Sequence, residues 1–249
     1  MIELHSRTLH IFYRHVHIKS EKRSRDPSKR RPEWFSYEKC FRNLLQTIRL
    51  DPLASNVKLL VVYDGDMEDF RDDFISNYYA NESLGIKLQF IQGGSEPNSN
   101  LITLFIARSA EILPNDLIYF LENDYMHQVG WVSKLLELYS SGLRVDYASL
   151  YDHKDKYFLQ MYSELTSKIF CTNSHHWRTA PSTCGSFVVE RSIYEQDYDI
   201  LQLGIPDFFL FTKLLNERQR VLVTPIPGLS THMMEGYLSP AIQWQNLVY

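Results

Sequence analysis

The sequence predicts an α/β fold with a mostly parallel central sheet and helices on both of its faces. Three observations carry that prediction. Short apolar runs at 9–13, 57–63, 86–91 and 117–121 read as buried strands bounded by polar turn residues. Segments with helical apolar spacing separate these runs, and strand–helix alternation is the pattern of parallel strands joined by crossover helices. The chain has 249 residues, 44% hydrophobic and 14% aromatic, enough for one large α/β domain.

Taken in order, the first strand, 9–13, leads into Arg14-His15. Tyr37, Phe41, Leu44, Leu45 and Ile48 then recur at helical spacing, with Ser36 as N-cap and Pro52 beyond the end. The second strand, 57–63, closes on Asp64-Gly65-Asp66, and a helix is expected over 67–79. The third, 86–91, ends at Gln92-Gly93-Gly94-Ser95. Asn98 or Ser99 is the expected cap of a helix carrying Leu101, Ile102, Phe105, Ser109, Ile112 and Leu113, stopped by Pro114. Trp131, Val132, Leu135, Leu136 and Tyr139 mark a further helix ending near Gly142, and 146–151 reads as another strand. Beyond Asp152 the pattern weakens into short strands and loops. Strands are expected at 186–189 and 221–223, and Pro206 opens a helix as its first residue.

The most informative segment is Tyr119-Phe120-Leu121-Glu122-Asn123-Asp124. Residues i and i+2 of a strand face one side, so Glu122 and Asp124 are expected to converge at the carboxyl end of a buried strand, where open α/β sheets place ligands. Two convergent carboxylates suit a hard divalent cation, Mg²⁺ or Mn²⁺, and such a cation suits a diphosphate.

Composition narrows the choice of class. No apolar stretch approaches the roughly 20 residues of a membrane span. Met1-Ile2-Glu3-Leu4-His5 lacks a basic region followed by an apolar one, so no secretory leader is expected. Cys40, Cys171 and Cys184, odd in number and widely spaced, fit neither a disulfide framework nor a zinc knuckle, and buried reduced thiols in a cytoplasmic protein are expected. The net charge is −4, but residues 19–31 carry seven basic side chains against two acidic ones, a local +5 that leaves −9 elsewhere. This stretch reads as a loop suited to anionic headgroups, an acidic acceptor or donor phosphates, with peripheral membrane contact as one use. No basic face with interleaved aromatics continues elsewhere, which argues against nucleic acid.

These segments in order resemble glycosyltransferases of the GT-A fold, closest in pattern to the family 2-like inverting enzymes. Phe12-Tyr13-Arg14, Val61-Val62-Tyr63-Asp64-Gly65-Asp66, the helix after Asn98, Glu122-Asn123-Asp124, Pro206-Asp207-Phe208-Phe209 and His232 carry the likeness. It implies a single GT-A-like, Rossmann-related domain over 1–249, with a nucleotide-sugar-binding half at about 1–125 and an acceptor-side half at about 126–249. By similarity, Tyr13, Arg14 and Asp64 hold the nucleotide, and Glu122-Asn123-Asp124 stands for the D-x-D motif with Glu in place of the first Asp. His232 resembles an added metal ligand. Asp207 resembles the general base at the start of a late helix, although proline replaces the first of the usual two acids. The helix dipole there favours the ionised carboxylate. The implied donor is a nucleoside diphosphate-sugar of UDP type, and the implied acceptor a glycan, lipid-linked or other hydroxyl.

Two rival readings have marks of their own. A nucleotidyltransferase would carry a glycine-rich, lysine-bearing loop after the first strand, where this chain has Arg14-His15-Val16-His17. A catalytically inactive GT-A-like binding module would lack the acids, and Glu122, Asp124 and Asp207 are all present. His175-His176-Trp177 is read either as an acceptor-pocket lining or as a surface loop. His153 beside Asp152 lacks a second ligand at metal-site spacing. Asp197 and Asp199 are expected in solvated turns.

Overall fold

The structure, a computed structural model, describes residues 7–16, 30–81 and 84–247. Of the basic stretch 19–31, only Arg30 and Arg31 lie among these, so the membrane-contact expectation falls outside the described residues. The chain order is β1 (Leu9–Val16), α1 (Tyr37–Arg49), β2 (Val57–Asp64), α2 (Met67–Asp72), α3 (Phe74–Asn81), β3 (Lys87–Ile91), α4 (Glu96–Ser109), β4 (Leu117–Glu122), β5 (Tyr125–His127) and α5 (Trp131–Ser140). There follow β6 (Tyr147–Ala148), β7 (Ile169–Cys171), β8 (His176–Thr179), β9 (Phe187–Glu190), α6 (Arg191–Leu201), α7 (Asp207–Arg218), β10 (Leu222–Ile226) and β11 (Ser230–His232).

Nine strands form one sheet in the order β3-β2-β1-β4-β9-β6-β10-β8-β7. The pairs among β3, β2, β1 and β4 are all parallel, and only β8 and β9 run against the other seven strands. Strands from both halves of the chain therefore share one sheet. Side chains alternate across it. Leu9, Ile11 and Tyr13 of β1 pack with Phe41 and Leu44 of α1, Ile75 of α3 and Trp131 and Leu135 of α5. Phe12, Val62 and Phe120 face the other way, onto Leu104 of α4, Tyr194 of α6 and Phe211 of α7. Burial on both faces explains why these strands read as continuous apolar runs.

Several elements depart from the sequence pattern, each for a local reason. The helix expected over 67–79 breaks at Asp73. The Asp73 carboxylate caps Ile75 N–H at 3.0 Å and accepts from His15 Nε2 at 2.9 Å and Tyr63 Oη at 3.2 Å. A buried acid committed to the sheet cannot remain mid-helix, so α3 starts afresh. Helix α4 begins earlier than expected, with Ser95 as its cap and a proline inside its first turn. It ends at Ser109, leaving Phe105 and Leu113 exposed. The strand expected over 146–151 forms regular ladder pairing at Tyr147–Ala148, with a single bridge from Tyr151 to Ser230 beyond it. Leu150 O instead accepts the N–H groups of Leu229 and Ser230.

Other expectations fail on burial. Asp197 is fully buried rather than solvated, taking Tyr147 Oη at 2.9 Å and Arg220 Nε at 2.8 Å. Trp177 is also fully buried and so cannot line an open pocket. His153 is buried against Thr183 Oγ1 at 3.1 Å. The three cysteines are free as expected, but Cys171 is exposed and Cys184 partly so. Among the described residues no helix is long and apolar enough to cross a membrane.

Asp73→Ala removes a cap and a buried acceptor together. It should cost about 2–4 kcal/mol of stability in urea unfolding. A cost under about 1 kcal/mol would show that the break between α2 and α3 has another cause.

Candidate functional site

The register of the parallel strands builds the first half of the site. Arg14 on β1 is the direct partner of Glu122 on β4, and its Nη2 donates to Glu122 Oε1 at 2.5 Å. Both side chains are almost withdrawn from solvent. Burial pushes the Glu122 carboxyl up, and Arg14 opposes that shift. The loop between β8 and β9 fits tightly over this pair. Glu122 N–H donates to Ser186 Oγ at 3.0 Å, and a Cβ on Gly185 would come within 2.7 Å of the Glu122 carboxyl carbon. No other residue fits at 185 without displacing Glu122 or the loop.

Asp207, the first residue of α7, comes to the same place. Burial, and then the negative charge of Glu122, push its pKa up to about 7, against a backbone hydrogen bond from Gly185. The expected stabilisation of its ionised form by the helix end is thus outweighed. Proline 206 is the N-cap rather than the first helical residue, which leaves Asp207 in the first turn.

Asp64 ends β2 on the same face of the sheet as Arg14 and Glu122. Its Oδ1 accepts Gly93 N–H at 2.8 Å, and its Oδ2 lies against the bare Cα of Gly93, where a Cβ would meet it at 2.6 Å. Tyr13 points the other way. It is 2% exposed, packs on Phe41 at 4.9 Å between ring centroids and donates to Asn123 O at 3.4 Å. Its ring is a core group and is not presented to a ligand, so the structure does not group Tyr13 with Arg14 and Asp64.

The chain turns after Glu122, and this divides the two acids of Glu122-Asn123-Asp124. Asn123 and Asp124 lie in the turn to β5, so strand alternation stops at Glu122. Asp124 then bonds different groups. Its Oδ2 accepts from Arg31 Nη2 at 2.6 Å and lies 3.0 Å from His232 Nε2. His232 arrives on β11, which pairs antiparallel with β5 and sets His232 opposite Tyr125, with the two rings stacked at 5.0 Å. Met233 N–H donates to Asp124 O at 2.9 Å, closing the pocket. Burial raises the Asp124 carboxyl, but His232 and Arg31 outweigh it and hold the group well below the usual carboxylate range. Burial likewise lowers His232, and Asp124 more than reverses this.

Among the described residues no three His, Cys, Asp or Glu side chains are drawn together closely enough to hold a metal ion. Two buried polar atoms of this pocket nevertheless have no partner there, Asp124 Oδ1 and Tyr125 Oη. A buried carboxylate oxygen without a donor, next to an imidazole, fits a divalent ion as two ligands. Glu122, turned to Arg14, is not a third in this arrangement.

Arg31, Gly93, Gly185 and Asp73 escaped sequence reasoning. Gly93-Gly94 at a strand end was a visible turn signal, and Arg31 was counted only as part of a basic run. Nothing local marks Gly185, because its role is the space it leaves for a residue 63 positions earlier.

No protein-family model matches the sequence, and no curated protein matches it. Solved structures do match by fold. A crystal structure of GalNAc-T7 with UDP, GalNAc and Mn²⁺ superposes with a TM-score of 0.58 at 11% identity over 93% of this chain. S. aureus TarS 1–349 superposes with a TM-score of 0.50 at 14% identity over 87% of it. The chain spans 45% and 57% of those two structures, about half their length. Both are of the GT-A type, and the fold of this chain is the GT-A fold.

The raised Asp207 carboxyl has a consequence for stability. Its pKa rises from 3.8 to about 7 on folding, so the native state binds the extra proton between these values and loses stability as pH climbs through them. Asp207→Asn, which is never charged, should therefore melt at a higher temperature than the parent at about pH 8 and at nearly the same temperature at about pH 4. An equal difference at both pH values would refute a raised native pKa.

Proposed function

We propose that this chain is a metal-dependent glycosyltransferase, moving a sugar from a nucleoside diphosphate-sugar to a hydroxyl acceptor with inversion. One observation carries the reading. On a GT-A fold, Asp64 and the Arg14–Glu122 pair stand on one face at the carboxyl ends of adjacent strands, and Asp207, at the start of α7, comes close enough to Glu122 that burial and that negative charge push its carboxyl up to about 7.

Asp64, fixed by Gly93, is the acceptor for the ribose or base of the nucleotide. Arg14 keeps the buried Glu122 charge compensated. Asp207 takes the proton of the attacking hydroxyl, since a carboxylate with a pKa near the working pH combines a useful ionised fraction with basicity. The Gly185 backbone bonds it from the loop before β9, and the exposed rings of Phe208 and Phe209 beside it in sequence suit the apolar face of a sugar.

Asp124 and His232 are the residues that would hold Mn²⁺ or Mg²⁺, while Glu122 stays with Arg14. When bound, the ion offsets charge on a diphosphate leaving group. UDP and Mn²⁺ in the GalNAc-T7 structure support a UDP-type donor and Mn²⁺ here. A glycan or lipid-linked alcohol is the proposed acceptor, bound by the half of the chain after about residue 126. Free thiols support a cytoplasmic site of action, and residues 19–31 remain a proposed contact for anionic lipid.

A thermal-shift screen of nucleoside diphosphates with Mn²⁺ tests the donor. A nucleotide at about 100 times its Kd should add about 2.7 kcal/mol of apparent stability. UDP is expected to respond, and no response from any nucleotide would remove the reading.

Two substitutions separate the roles. Asp64→Ala should raise the Kd of the responding nucleotide about tenfold or more, with the metal present. Asp207→Asn should cut turnover by at least ~10² with donor affinity little changed. In the parent, turnover should rise with pH through about 7 as Asp207 ionises. Turnover largely retained in Asp207→Asn would leave the reaction without this base.

A further inference from the structure

Arg31 stands where the reading above puts a metal ion. Its guanidinium meets Asp124 Oδ2 at 2.6 Å from Nη2, Met233 O at 2.9 Å from Nη1 and His232 Nε2 at 3.4 Å from Nη1, and it also bonds the Tyr37 side chain. Its Cζ lies 5.1 Å from the centre of the Phe35 ring, a cation–π contact. A carboxylate oxygen, a backbone carbonyl and an imidazole nitrogen also form a ligand set for a divalent cation. They converge here on a positive side chain.

The imidazole shows that the cup is not a settled hydrogen-bond network. His232 Nε2 lies near both a carboxylate oxygen and a guanidinium N–H. With a proton on Nε2 it serves Asp124 and opposes Arg31. Without one it serves Arg31 and opposes Asp124. A divalent ion in the cup would be bound by both His232 and Asp124, and it would also give Asp124 Oδ1 the partner it lacks.

The backbone beside Arg31 holds the guanidinium in place. Arg30 O accepts Glu235 N–H at 2.9 Å, tying this segment to the turn after β11. Trp34 and Phe35 then pack on a small cluster of Cys40, Met126, Met233 and Trp244. The Arg31 side chain is about a fifth exposed, at the solvent edge of that cluster.

We propose that Arg31 is a built-in competitor for the cation site: its guanidinium and a divalent metal ion are alternative occupants of the cup formed by Asp124, His232 and Met233 O. The inference rests on the reading of Asp124 and His232 as metal ligands. Arg31 supplies the positive charge that the buried Asp124 needs when no metal is bound, and it must leave for the metal to enter. The cost is affinity, because an ion that binds only the arginine-free fraction has its apparent Kd raised by the inverse of that fraction.

The experiment is a calorimetric Mn²⁺ titration of the full chain without nucleotide, comparing the parent, Arg31→Ala, Arg31→Gln and Asp124→Asn. Circular dichroism checks that each variant is folded. Arg31→Ala and Arg31→Gln should each bind Mn²⁺ about tenfold more tightly than the parent, as expected if arginine fills the cup about nine-tenths of the time. Mn²⁺ should also raise the melting temperature of Arg31→Ala more than that of the parent, since in that variant it compensates an otherwise unpaired carboxylate.

Mn²⁺ affinity unchanged or weakened in folded Arg31→Ala or Arg31→Gln would overturn the proposal. The Asp124→Asn titration separates the two levels of argument. If it abolishes binding while the Arg31 variants bind no better than the parent, the ligand reading stands and the competition falls. If Mn²⁺ binding survives Asp124→Asn, both fall.

Discussion

The parallel pairing of β1 with β4 is the constraint from which the rest of the site follows. Its register sets Arg14 opposite Glu122 and leaves Tyr13, one residue earlier, on the opposite face beneath Asn123. Because both strands are buried on both faces, a one-residue slip would drive Arg14 into the aromatic layer around Phe41 and turn Tyr13 toward the acids. The aromatic residues of β1 thus do more than fill volume. They fix which side of the sheet receives charge.

Several buried carboxylates are then grouped at one end of the sheet, and the structure treats each differently. Glu122 takes an arginine from the neighbouring strand. Asp124 takes Arg31 and His232 from opposite ends of the chain. Asp207 has the Gly185 backbone and the more distant charge of Arg14 in its favour, and these do not offset burial and the charge of Glu122. Its pKa therefore climbs toward neutrality while that of Asp124 falls. Two carboxylates, each near Glu122 in the chain or in space, acquire opposite characters because their surroundings differ, and such divergence is a mark of functional sites. Asp197 and Asp146 form a separate group with Arg220, where both acids are paired with that arginine and bridge α6 to the start of β10.

The parallel half of the sheet was legible in the sequence, because a strand buried on both faces and an amphipathic helix both leave periodic marks. Asp64, Glu122 and Asp207 were legible as acids at element ends. What escaped were contacts between residues distant in sequence. The break at Asp73 follows from His15 and Tyr63, and no helical periodicity carries that information. The separation of Glu122 from Asp124 follows from a turn only two residues long, too short to alter the apolar pattern. Trp177 read as a loop aromatic because β8 is four residues long and its pairing with β7 and β10 is invisible locally. His232 was found by resemblance alone. Its position depends on the three-residue pairing of β11 with β5.

The two sides of the site consequently rest on different foundations. The side proposed for the nucleotide is made of adjacent parallel strands inside the two main apolar layers, so any event that disturbs it must open the core. The side proposed for the cation is made of single contacts spanning 93, 108 and 202 residues. Loop-closure cost grows only logarithmically with length, so these separations are not in themselves a heavy thermodynamic burden. Their consequence is dependence on docking. Asp124 has its compensating charges only while both the segment at Arg30–Phe35 and the strand β11 are seated. The cluster of Cys40, Met126, Met233 and Trp244 is what seats them, since it takes side chains from α1, from β5 and from the turns after β11. Local opening there would expose a buried carboxylate without opening the sheet. Of the two, the side around Asp124 is therefore the one that can open locally while the parallel strands stay packed, the physical condition that the proposed sharing of one place by an arginine and a metal ion requires.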